Sequence, residues 1–151
     1  MLTANALKGK GFRADHLFEV LEAGAVIATL NETRFTFEHG GVGYAVHHKG
    51  VVSPEYTLRC GDADLAAVTR APFVNRYTMM LDGREWVLKA EGISAQKFGL
   101  YDGETKVGGI LAGGHFSRFK GITAEFPEEI PMTIQLFLLL VVIWKWGDTG
   151  S

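Results

Sequence analysis

The segment "HFSRFKG" contains the residues whose types and spacing best suit the binding of an anion. Arg118 and Lys120 are two positions apart, so both side chains would point to the same side of an extended chain. Two cations on one face could hold a phosphate group, while Phe116 or Phe119 contacts the apolar boundary of a lipid layer. The alternative is an ordinary solvated strand face that carries two charges.

A second basic segment, "KGKGFR", contains Lys8, Lys10 and Arg13. We predict that it belongs to a flexible basic leader at 1–16, because this region has no apolar stretch of the length that a secretory signal requires. If the leader folded back, its cations would extend the phosphate-binding patch of Arg118 and Lys120.

Other reactive side chains form no recognisable catalytic or metal-binding pattern. The five histidines are scattered along the chain: His16, His39, His47, His48 and His115. The adjacent pair would point to opposite faces of a strand, which does not suit chelation of one metal ion. Cys60 is predicted on the apolar face of a strand, where a buried thiol is commoner than a nucleophile. We therefore predict no catalytic residue, no metal and no cofactor.

Two further stretches have simple structural explanations. "VGGILAGGHF" is glycine-rich but lacks the Gly-Lys-Ser/Thr ending of a phosphate loop, so we interpret its glycines as places of close strand approach. Glu125, Glu128 and Glu129 form an acidic cluster just before a predicted helix. We interpret this cluster as complementing the helix dipole rather than as an acid–base pair.

Composition limits the class of protein. The chain has 151 residues, 15 basic and 17 acidic, and a net charge of −2, which does not favour nucleic-acid binding. A single cysteine cannot form an internal disulfide and suits a reducing compartment, so we predict a cytoplasmic location. The length fits one domain, and no internal repeat or linker is apparent.

The elements that would position these residues are mainly strands. Short apolar runs, many of them alternating with polar residues, are separated by glycine, aspartate or asparagine. The runs lie at 17–22, 25–30, 34–38, 42–47, 55–60, 63–70, 74–81, 84–91, 96–101, 105–112, 115–118 and 121–126. Asp82-Gly83 and Asp102-Gly103 are predicted hairpin tips. About twelve such strands predict a closed antiparallel barrel.

The segment "EEIPMTIQLFLLLVVIWKW" predicts a helix at about 128–146. It is apolar around its whole circumference, so protein or lipid must enclose it. The fifteen residues at 130–144 would extend about 22 Å as a helix, less than the roughly 30 Å of a bilayer core. A barrel of about twelve strands has an interior that needs filling. We predict that the helix fills the barrel, within one domain at 17–147, with a tail at 148–151 and no integral membrane span.

A long run of strands that ends in one hydrophobic helix resembles the tubby C-terminal-like superfamily, in particular its LURP-one-related and phospholipid scramblase-like branch. The stretches "EYTLRCGDADLAAVTR", "REWVLKAE" and "GLYDGETKVGGI" are similar to the strand–turn–strand segments of that family. The resemblance implies a closed barrel around the C-terminal helix. It also implies a link to membranes, since tubby proteins bind phosphoinositide head groups through basic side chains.

Residues and resemblance together predict a non-enzymatic binding or scaffold domain, with anionic phospholipid, phosphoinositide head groups or a protein as partner. Such a domain would be cytoplasmic or peripheral at a membrane. Two alternatives stay open at this point. One is a tail-anchored membrane protein, and the other is a small-ligand carrier or enzyme with a pocket at the barrel mouth.

Overall fold

The computed structural model describes residues 1–7, 15–92, 96–112 and 121–148, which form twelve strands and one helix. The strands are β1 (Leu2–Ala6), β2 (Leu17–Glu22), β3 (Ala25–Asn31), β4 (Thr36–His39), β5 (Val42–Lys49), β6 (Glu55–Cys60), β7 (Ala63–Arg70), β8 (Arg76–Leu81), β9 (Arg84–Glu91), β10 (Lys97–Asp102), β11 (Thr105–Leu111) and β12 (Ile122–Glu125). Every neighbouring pair is antiparallel, and pairing of β1 with both β2 and β12 closes the barrel. The predicted fold class is confirmed.

The helix α1 (Met132–Asp148) fills the barrel. Every side chain from 136 to 143 is at most 2% exposed. Inward-facing residues of the strands pack around it because alternate side chains of a strand point to one face. The tail-anchor alternative requires these helix side chains to contact lipid, whereas here they contact protein.

The start of the chain differs from the prediction of a flexible leader at 1–16. Residues Leu2–Ala6 form β1, which pairs with β2 on one side and β12 on the other, so the prediction is wrong for this part. Leu2 and Ala4 point inward and are buried. An alternation with only two inward-facing apolar residues is too short to identify a strand from sequence. The predicted strand at 115–118 lies outside the described residues.

The helix begins later than predicted. The carbonyl of Pro131 accepts hydrogen bonds from the backbone amides of Ile134 (2.9 Å) and Gln135 (3.0 Å), so the first helical turn follows it and contains no acidic residue. The predicted helix start at about 128 is therefore wrong, and the glutamates at 128 and 129 precede the first turn. Glu129 instead forms an ion pair with Arg84 of β9, which also pairs with Asp102.

Both predicted hairpin tips exist. Asp82 and Gly83 are the two turn residues between β8 and β9, and both have positive φ, 53° and 76°. This is the backbone that a tight turn between twisted strands requires. At the other tip Asp102 pairs with Thr105, so the turn is shifted by one residue.

Three hairpins of the barrel are versions of one pattern. In β2–β3, β6–β7 and β10–β11 the pairing shifts by one residue at the same distance from the turn, which leaves one bulged aliphatic residue per hairpin. The bulged residues are Ile27, Leu65 and Val107. In the first strand of each hairpin, an inward-facing aromatic residue lies two positions before the last residue paired ahead of the shift: Phe18, Tyr56 and Phe98. Since the hairpins are four strands apart, the barrel has an approximate threefold repeat, which sequence analysis missed.

The third repeat differs because the helix enters there. After the bulge the first two repeats have a small residue, Ala28 and Ala66, and the third has Gly108. A Cβ atom at Gly108 would overlap the backbone carbonyl oxygen of Glu125. Glu125 ends β12, and from there the chain turns towards α1. Glycine is therefore required by the close approach of two backbones.

Candidate functional site

The outer surface of β9, β10 and β11 carries a group that we call the lysine cluster: Lys89, Lys97 and Lys106 around Glu91 and Tyr101. Strand alternation turns these side chains outward while their neighbours pack in the core. Register brings them together, because Lys97 lies opposite Glu91 and Tyr101 lies opposite Lys106.

Glu91 is the centre of the lysine cluster. Its carboxylate accepts hydrogen bonds from the Tyr101 hydroxyl and from Nζ of Lys106 at 3.0 Å, and Nζ of Lys97 is 3.7 Å away. Nζ of Lys89 lies 4.3 Å from the centre of the Tyr101 ring, a cation–π distance. One carboxylate can balance only one of three ammonium charges. Within the cluster, two positive charges remain uncompensated.

The contacts around Glu91 shift the pKa values of the groups that take part in them. The hydrogen bond from Tyr101, followed by that from Lys106, lowers the pKa of the Glu91 carboxyl. The same carboxylate raises the pKa of the Tyr101 hydroxyl and of the Lys106 ammonium. Both shifts favour the charged forms of the Glu91–Lys106 pair at neutral pH.

Gly99 makes the arrangement sterically feasible. It lies on β10 between the two partners, and a Cβ atom there would overlap the Glu91 carboxylate and the Tyr101 ring. The absence of a side chain thus leaves room for the Tyr101–Glu91 hydrogen bond across the strand.

A shallow groove of about 480 Å³ runs beside the lysine cluster. The residues at its rim and floor include Lys97, Lys106, Gly109, Leu111, Thr123 and Glu125. Leu111 is half exposed, so the groove offers an apolar surface next to the two lysines. Glu125 adds one carboxylate on the β12 side. A volume of several hundred Å³ is sufficient for a small polar group with its attached apolar chain.

Arg76 adds a fourth cation to the surface that carries the lysine cluster, in a chain of net charge −2. Arg76 on β8 lies opposite Lys89 in the sheet and extends the basic surface towards the loop at 71–75. We call Arg76 together with the lysine cluster the basic face. The exposed carboxylates on β2 and β4 are Glu22 and Glu38. On β9 the exposed Glu85 shares the outer side with Lys89 and Glu91, so the basic face contains carboxylates as well as cations.

The residues predicted as an anion site from sequence, Lys8, Lys10, Arg13, Arg118 and Lys120, lie outside the described residues. The described residues next to them can be placed. Leu7, Asp15, Ala112 and Gly121 lie at the end of the barrel where α1 ends, because β1 and β11 run towards that end and β2 and β12 run away from it. The backbone amide of Gly121 donates to Oδ1 of Asn5 at 3.2 Å.

The lysine cluster was not recognised from sequence, although part of its signal was present. Alternation in "REWVLKAE" separates Lys89 and Glu91 from the core positions. Nothing in the sequence shows how β9, β10 and β11 align across the barrel. That register is what places the lysines around one carboxylate.

No metal site emerges among the described ranges, which contain no suitable group of three or more His, Cys, Asp or Glu residues. The thiol of Cys60 is free and half-buried. No helix in the described part of the chain combines the length and hydropathy needed to cross a bilayer. Comparison of the chain with models of known protein families, with curated proteins and with solved structures finds no match.

The lowered pKa of Glu91 predicts an acid-sensitive contribution to stability. A carboxylate whose pKa is lower in the folded protein stabilises the fold above its unfolded pKa, and this stabilisation is lost as the pH falls through the folded value. Glu91→Gln should therefore flatten the loss of stability below about pH 4.5. Urea unfolding of both proteins between pH 3 and pH 7 measures the difference; parallel profiles would contradict the assignment.

Proposed function

We propose that the protein is a non-enzymatic binding module that docks its basic face on anionic phospholipid, at the periphery of a membrane and in the cytoplasm. The observation that carries the proposal is the lysine cluster, in which Glu91 pairs with Lys97 and Lys106 while Lys89 lies over the Tyr101 ring, so that three ammonium groups surround one carboxylate beside an open groove. The resemblance to the tubby C-terminal-like superfamily supports the same class of partner.

The physical basis is electrostatic. A basic residue close to an anionic membrane contributes about 1 kcal/mol of binding free energy, and the contribution falls off within a Debye length. The lysines of the cluster and Arg76 lie on one side of a rigid barrel, so they can approach a flat surface together. Lysine also suits this task because its stem can lie along apolar surface while its ammonium stays at the phosphate level.

Removal of two lysines should weaken binding to vesicles. We expect the wild-type protein to co-sediment with vesicles that contain phosphatidylserine, to bind them less as salt increases, and to bind phosphatidylcholine vesicles poorly. The double variant Lys97→Ala, Lys106→Ala should bind anionic vesicles about thirtyfold more weakly, because it loses two cations that each contribute about 1 kcal/mol near the surface.

The matched control is Arg34→Ala, Arg59→Ala, which removes two exposed, ion-paired cations outside the basic face. It should leave binding nearly unchanged. A third double variant, Arg118→Ala, Lys120→Ala, tests the pair chosen from sequence, and a loss of salt-sensitive binding would add that pair to the surface. Equal binding by wild type and the Lys97/Lys106 variant would remove the lysine cluster from the proposal.

A further inference from the structure

Two loops at the helix C-terminal end of the barrel expose apolar side chains. Val51 (89% exposed) and Val52 (52%) lie between β5 and β6, and Phe73 (84%) and Val74 (52%) lie between β7 and β8. We call them the apolar tips. We propose that the apolar tips insert into the interface of an anionic phospholipid bilayer when the basic face docks, an inference that rests on the proposed function.

Hydrogen bonds connect the two loops and close the second one. Oγ of Ser53 donates to the carbonyl oxygen of Arg70 at 2.7 Å, and the backbone amide of Arg70 donates to the carbonyl oxygen of Pro54 at 2.9 Å. The second loop is closed by a 2.8 Å hydrogen bond from the amide of Ala71 to the carbonyl oxygen of Arg76. The apolar side chains are therefore presented to solvent by braced backbone, which lowers the entropy lost on binding.

Phe73 has an unusual backbone as well as an exposed ring. Its φ is +62°, a left-handed conformation that is uncommon for bulky residues and that glycine or asparagine adopts more readily. A loop that needed only the turn would be more stable with one of those residues. An exposed aromatic side chain at a strained backbone position indicates a binding surface, in which the ring is buried on contact with an apolar partner.

The charges around the apolar tips favour a lipid surface. Segments 50–54 and 71–75 contain no charged residue. The charged residues that flank them are Lys49, Glu55, Arg70 and Arg76. Glu55 approaches Lys49 at 3.8 Å, so the flanks keep a net positive charge. Apolar tips between cations match a bilayer interface, where acyl chains lie below anionic head groups.

Phe73→Asn separates insertion from electrostatic docking, because asparagine tolerates the same backbone and removes the ring. At low salt and saturating lipid the variant should sediment with phosphatidylserine vesicles nearly as completely as wild type, because electrostatic attraction alone is then sufficient. At about 0.5 M salt, where charges are screened, its binding should be about tenfold weaker than that of wild type. The control is Met80→Thr, which removes an exposed apolar side chain from strand β8 rather than from the tips. It should bind like wild type at both salt concentrations.

A second measurement reports insertion directly. The indole introduced by Phe73→Trp should be quenched by lipids brominated on their acyl chains, beyond the quenching of the native tryptophans in the wild-type protein. The insertion is overturned if Phe73→Trp binds at low salt without added quenching, or if Phe73→Asn binds as well as wild type at about 0.5 M salt. Either result leaves the proposed function intact. If the wild-type protein fails to bind anionic vesicles at low salt, the proposed function is refuted, and the insertion with it.

Discussion

Leu139→Asp is expected to abolish cooperative folding. Leu139 is in the middle of α1 and fully buried by the barrel, and no charged residue is among the buried residues of the described part of the chain. An unpaired carboxylate in such a place costs several kcal/mol, and loss of the leucine packing adds about 2–5 kcal/mol. A domain of this size is stable by roughly 5–15 kcal/mol, so one substitution can remove most of that stability.

The measurement is urea or thermal unfolding followed by circular dichroism and tryptophan fluorescence. Leu111→Asp is the matched control, because Leu111 is half exposed on the outside of β11 and should tolerate the charge. Truncation before Ile130 removes the whole helix and should also yield a chain without a cooperative transition. A Leu139→Asp protein that melts within a few degrees of wild type would show that α1 is not the core of the barrel.

Gly108→Ala is expected to destabilise the protein by about 2–3 kcal/mol, at the upper end of the usual range for overpacking. A methyl group at Gly108 overlaps the carbonyl oxygen of Glu125, which is backbone and cannot rotate away. Relief requires β11 and β12 to separate at the point where the chain enters the barrel. The cost is therefore larger than the small gain in strand propensity that alanine brings.

The repeat supplies the control for this substitution. Ala66 occupies the corresponding place in the second repeat, and Ala66→Gly should cost only about 0.5–1 kcal/mol through chain entropy. The midpoint of urea unfolding gives both values on one scale. A Gly108→Ala protein as stable as wild type would contradict the inference that the two backbones approach too closely here for a side chain.

Much of the fold could be predicted from sequence because its signals are local. Alternation in "EYTLRC" or "REWVLKAE" identifies a half-buried strand, and an apolar run without a polar face identifies a helix that must be enclosed. The start of that helix could not be predicted, since the partner of Glu129 is Arg84, which is remote in sequence. The same reason explains why the lysine cluster was missed. Its members belong to different strands, and only their alignment across the barrel brings them to Glu91.

The pairing of β1 with β12 also has a consequence for synthesis. The last repeat takes its fourth strand from before the first repeat, so the seam of the barrel joins the first of the twelve strands to the last. Until β12 leaves the ribosome, the strands already made cannot close, and α1 follows later still. Both edges of the growing sheet and its whole apolar interior would then be open to other chains. Closure of the barrel and burial of its interior must therefore wait until β12 and α1 have emerged.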